Sequence, residues 1–82
     1  MNEEKPKLTL DRTATYLIKI PGVLDEKRLD WNGGMAITID REGNEPITSL
    51  MISVDQAALH GLLRHLYSLG LPLISVVCLA YS

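Results

Sequence analysis

The stretch VDQAALHGLLRHLYSLGLP, Val54 to Pro72, contains both ends of a helix and the apolar stripe between them. Asp55 is placed to cap it. Its carboxylate can accept a first-turn backbone N–H, and its charge suits the positive end of the helix dipole. Val54 and Leu59 stand in the relation of a hydrophobic staple across that cap. Ala58, Leu59, Leu62, Leu63, Leu66 and Leu69 recur at helical spacing, with Gln56, His60, Arg64 and Ser68 opposite. Gly70 supplies a left-handed residue to end the helix, Leu71 can fold back on Leu66, and Pro72 prevents continuation. The spacing predicts a helix over Asp55–Leu69. Gly61 inside it costs about 1 kcal/mol against alanine, and close packing on a sheet is the expected reason for it.

Beyond this helix lies Leu73–Tyr81, apolar on both faces. Leu73, Val77, Leu79 and Tyr81 fall on one side, and Ile74, Val76, Cys78 and Ala80 on the other. Such a strand is expected in the middle of a sheet or between layers. Three strands precede the helix. Thr13–Ile20 is rich in β-branched residues, puts Tyr16, Ile18 and Ile20 on one face, and ends at Pro21-Gly22. Met35–Asp40 alternates Met35, Ile37 and Ile39 with smaller or polar residues. Pro46–Val54 places Leu50, Ile52 and Val54 on one face. Arg41–Glu45 reads as a hairpin loop in which Gly43 or Asn44 suits positive φ. The polar connection over residues 24–34 has room for a helical turn near Asp25–Leu29.

The fold class expected from this order is α+β, a four-stranded β-β-β-α-β sheet. Its first three strands form an antiparallel meander, and one right-handed crossover helix covers one face and returns the fourth strand parallel to a neighbour. Eighty-two residues make one domain, expected over 13–82, preceded by a flexible charged tail over 1–12 that contains Pro6.

Charge is unevenly spread. Residues 1–45 hold sixteen of the eighteen charged side chains, leaving only Asp55 and Arg64 beyond them. One helix shields one face of a sheet, so the other face would leave Leu17, Met51 and half of the last strand in water. Burying about 400 Å² of such surface is worth on the order of 10 kcal/mol before association costs. The expected solution is a homodimer or higher homo-oligomer through the apolar sheet face, with an additional protein partner also compatible.

The same composition weighs against other partners. A net charge of −2 lacks the basic face that nucleic acid or an anionic membrane surface requires. The uncharged run Leu66–Tyr81 is too short to span a bilayer and is interrupted by Gly70 and Pro72. The N-terminal residues have no apolar core of a signal peptide, which makes a cytoplasmic location the expectation.

Candidate sites are few. One cysteine, Cys78, excludes an intrachain disulfide, and its apolar surroundings make it a small core residue. His60 and His65 are rotated about 140° from each other around the helix and cannot share a metal. Asp40, Glu42, Asn44 and Glu45 miss the calcium-loop pattern, because the glycine comes too early and Met51 stands where a bidentate glutamate is needed. No serine sits in an elbow motif, and no acid is placed for proton transfer. No catalytic set, metal ligand set or cofactor motif stands out, so the reading leans away from an enzyme, with a minor enzyme or enzyme subunit as a third and weaker reading. Trp31, followed by Asn32-Gly33-Gly34, can stack on a flat ligand or, more plainly, lid the open edge of the core. His60 and Arg64 form an i, i+4 pair on the polar side of the helix.

Asp55-Gln-Ala-Ala-Leu-His-Gly-Leu-Leu and Leu69-Gly-Leu-Pro-Leu-Ile-Ser-Val76 resemble a family of small bacterial domains of unknown function that share this helix start and strand approach. The similarity continues more weakly through Tyr16–Gly22 and Asp30–Met35. Relatives often carry Gly-Pro shortly before the helix. Here Met51-Ile52 stands instead, and the third strand is expected to be more regular. The resemblance implies a shared fold without a chemistry. Asp55, Gly70 and the leucines have structural reasons to recur. Gln56 and His60 have none in sequence and join Trp31 and Arg64 as candidate ligand or partner contacts. The leading expectation is a non-enzymatic, self-associating protein-interaction domain. The alternative is a small-ligand binding or sensing domain with its pocket near Trp31 and the N-terminus of the helix.

Overall fold

The computed structural model describes residues 8–29, 31, 34–41 and 43–81. They form β1 (Ala14–Pro21), α1 (Glu26–Leu29), β2 (Ala36–Asp40), β3 (Ile47–Val54), α2 (Gln56–Ser68) and β4 (Ser75–Tyr81). The turn expected at Asp25–Leu29 is α1. Asp25 starts it, its carboxylate accepting the Lys27 N–H at 3.1 Å and its carbonyl the Arg28 N–H at 3.0 Å. The first seven residues of the expected tail, Asn32-Gly33 of the tryptophan loop and Glu42 of the hairpin loop lie outside the described residues.

The four strands make one antiparallel sheet in the order β2-β3-β1-β4. The α+β class is as expected, but the meander is not. β1 pairs with β3 instead of β2. The cause is the connection 22–35, which contains α1 and buries Leu24 and Leu29 in the core. A segment anchored that way carries the chain across the sheet and delivers β2 to the far side of β3. The hairpin through Gly43, which takes φ +108°, then joins β2 to β3.

The last strand also differs from expectation. β4 lies beside β1 and runs antiparallel to it. It still runs in the same direction as β3, with β1 inserted between them. Both helical connections therefore link parallel strands separated by a third, which is the β-α-β-β-α-β arrangement of split, ferredoxin-like sheets. α1 is reduced here to a single turn. β4, expected in the interior because both of its faces are apolar, is an edge strand.

One face of the sheet and the buried side of α2 enclose the core. Tyr16, Ile18, Ile20, Leu50 and Ile52 meet Leu59, Leu62 and Leu66, with Leu24 and Leu29 closing the end. α2 begins as the sequence predicts: the Asp55 carboxylate accepts the Ala58 N–H at 2.9 Å. It ends in a Schellman arrangement. The Leu71 N–H reaches the Leu66 carbonyl at 3.0 Å and the Gly70 N–H the Tyr67 carbonyl at 2.9 Å, with Gly70 at φ +80°.

Gly61 departs from its expected reason. A Cβ at this position meets nothing within 4 Å, so close packing on the sheet does not require the glycine. Gly61→Ala should therefore raise stability by about 0.5–1 kcal/mol, because alanine loses less backbone entropy in a helix. A thermal melt reads this as a rise of a few degrees; an unchanged or lower midpoint would show that the space is needed.

The register also defines the open face. Ala36, Met51, Leu17 and Val77 are cross-strand neighbours and form one apolar row across all four strands. Thr38, Ser49, Lys19 and Ser75 form a polar row on one side of it. Ser53 and Thr15 lie on the other, their hydroxyls 2.9 Å apart. The open face is thus a single greasy band between polar ones.

Candidate functional site

Gln56, His60 and Arg64 follow one another at i, i+4 along α2, and the structure gives the first two a shared role. Tyr16 is 3% exposed, and a phenolic hydroxyl so deep needs a partner. Gln56 Nε2 donates to it at 2.7 Å. The amide oxygen of Gln56 in turn accepts from His60 Nε2 at 3.2 Å. The series is anchored in the core at Tyr16 and ends at the exposed imidazole. Arg64 is exposed one turn further along.

This geometry supplies the structural reason that sequence reading lacked for Gln56. Tyr16 and Gln56 are 40 positions apart, and only the antiparallel placement of β1 beneath the start of α2 joins them. The Gln56 N–H also reaches the Leu10 carbonyl at 3.2 Å, which ties the segment before β1 to the helix start. In that segment the Thr9 hydroxyl donates to Asp11 at 2.8 Å, and this bond lowers the pKa of the fully exposed carboxyl. Chemically, the arrangement satisfies a buried hydroxyl and orients one surface imidazole.

Trp31 is elsewhere. It is partly buried against the core, between α1 and β2, and it borders an open cleft of about 220 Å³. The other walls are Glu26, Leu29, Met35 and Ile37; neither Gln56 nor His60 is among them. Among the described residues, the buried indole Nε1 has no hydrogen-bond partner. His65 Nε2, on the inner flank of α2, is in the same condition. The structure thus joins Gln56 to His60 and draws the Trp31 cleft from a different part of the chain.

Among the described residues, no group of three or more His, Cys, Asp or Glu is placed to hold a metal ion. None of their helices is long and apolar enough to cross a membrane. Cys78 is half-buried, opposite Tyr16 on the core side of β4.

What the sequence does not show is the place of β4 at the edge of the sheet. Leu73, Ile74, Val76, Val77, Leu79 and Tyr81 are each between 39% and 52% exposed. The double-sided apolar pattern was visible, but its position at the edge depends on which strand β1 chooses as a partner.

No curated protein and no solved structure matches the chain. A family model described as "Domain of unknown function (DUF8691)" matches residues 15–77, from β1 into β4. The match takes in the whole sheet-and-helix unit described above apart from its two ends, and on that ground the chain belongs to this family of small domains.

Proposed function

We propose that this domain acts as a non-enzymatic interaction module that self-associates into a homodimer or larger homo-oligomer. One observation carries the reading. Six of the twelve exposed large apolar side chains among the described residues lie within 73–81. That segment belongs to the part of the chain after Arg64, which has no Asp, Glu, Lys or Arg. Monomers rarely leave so concentrated an apolar surface in water, whereas scattered apolar residues are ordinary. The apolar row Ala36-Met51-Leu17-Val77 runs into the same strand and extends the surface onto the open face. Size-exclusion chromatography with light scattering tests the reading. The expected mass at about 100 µM is at least twice the 9.1 kDa of one chain. A monodisperse monomer at that concentration removes it.

A second reading rests on Trp31. The Trp31 ring borders the 220 Å³ cleft with Leu29, Met35 and Ile37, which suits a small ligand with a flat apolar body. The chain has a single tryptophan, so quenching in a metabolite screen reports directly on this cleft. Unchanged fluorescence together with unchanged melting across the screen overturns this reading.

A further inference from the structure

The self-association proposed above leaves open which surface two copies share, and β4 is the strand whose composition and position disagree. A strand that is apolar on both faces and uncharged is typical of a sheet interior and unusual at an edge. Among the described residues β4 has one neighbour, β1. Sheet edges that face water are usually guarded by lysines, inward-pointing charges, prolines or bulges. β4 has no charge and no proline along Ser75–Tyr81. Its one irregularity is a shift of register where Tyr16 pairs with Cys78 but Thr15 with Ala80, which leaves Leu79 as the extra residue. From Ser75 to Cys78 the strand is regular, and alternate backbone N–H and C=O groups along it point away from β1.

From these observations, and resting on the self-association reading, we infer that β4 pairs antiparallel with β4 of a second copy about a two-fold axis. The result is one continuous eight-stranded sheet. Pairing places each β4 between its own β1 and the partner's β4, which gives its outward N–H and C=O groups partners and ends the unguarded edge.

The occupant is a second copy for two reasons. An uncharged strand presents nothing that selects a charged peptide, whereas it meets an identical uncharged strand without like-charge repulsion. A two-fold axis also makes the same edge serve both sides. The exposed area of residues 73–81 is on the order of 500 Å² per chain, and lateral pairing takes only the part facing the new neighbour out of water, so the pair buries less than about 1,000 Å², the range of weak, transient interfaces. The association expected from such an area is a reversible dimer.

The test separates edge pairing from association through the open face. Val76 lies on the core side of β4, opposite Ile18, and is 39% exposed; Met51 lies on the open face of β3 and is 42% exposed. Light scattering at about 100 µM should show a dimer for the wild type and for Met51→Lys, and a monomer for Val76→Lys. Amide hydrogen exchange supplies a readout of the backbone that needs no substitution. In dilute wild-type protein, alternate amides of Ser75–Tyr81 should exchange quickly, and they should gain about tenfold or more protection as the dimer forms. A dimer whose outward β4 amides stay unprotected overturns edge pairing. So does a dimeric Val76→Lys, or a Met51→Lys that is monomeric; each of these leaves self-association standing. A monomeric wild type removes both.

Discussion

Leu62→Ala should lower the free energy of unfolding by about 3 kcal/mol, the largest effect expected of any single truncation in α2. Leu62 has no exposed surface and stands at the centre of the helix stripe, between Leu59 and Leu66 and against the buried face of β1 and β3. Its side chain is part of the one layer that joins helix to sheet. Removing three carbons there loses their transfer free energy and leaves a space that sheet and helix cannot both close. A domain of this length has roughly 4–12 kcal/mol of stability in total, so the change takes a quarter or more of it. Denaturant titration at fixed protein concentration gives the number, since association would add its own concentration dependence. A loss under about 1 kcal/mol would mean that α2 does not hold the sheet as described.

Thr48→Val should cost about 2–3 kcal/mol, although valine nearly matches threonine in shape. Thr48 is the one polar side chain among the fully buried residues described, and its hydroxyl serves two backbone groups. It donates to the Gly22 carbonyl at 2.6 Å and accepts from the Leu24 N–H at 3.2 Å. Both bonds reach from β3 to the start of the connection that carries the chain towards α1. Valine fills the space and leaves the buried Leu24 N–H and the part-buried Gly22 carbonyl without their partner, and an unmet buried donor is more costly than the net worth of either bond. Thr48→Ser, which retains the hydroxyl, should recover most of the loss. Exchange of the Leu24 amide should accelerate in the valine variant and not in the serine one. Equal losses in both would place the effect in packing instead.

These two positions differ in how far they could be read from sequence. Leu62 falls at the centre of a helical apolar repeat, and its burial follows from spacing alone. Thr48 lies in β3 on the side of Leu50 and Ile52, so the alternation puts it on the buried face, but nothing local shows what its hydroxyl would meet there. Its role exists because β1 and β3 are neighbours and Gly22 ends up across from Pro46, whose carbonyl accepts the Gly22 N–H at 2.8 Å. Gln56 is a similar case. Its position on the helix was evident, but its partner Tyr16 is brought to it only by the sheet. Gly61 is the opposite case: a glycine inside a helix suggests a close approach, but the space around it is open.

The amino-acid order by itself determined every element of the sheet and both ends of α2. Those depend on interactions within a few residues: the Asp55 cap, the left-handed Gly70, the turn at Gly43 and the alternation of apolar side chains. It also determined the nearly uncharged second half, which keeps only Asp55 and Arg64 and is a matter of composition. The partners were decided by tertiary structure. Whether β1 pairs with β2 or β3 turns on how the connection 22–35 packs Leu24 and Leu29, a choice made among distant contacts of similar local merit. That choice sends β4 to the edge of the sheet. The same side chains that would make an interior strand stable in one order are left half in water in this one.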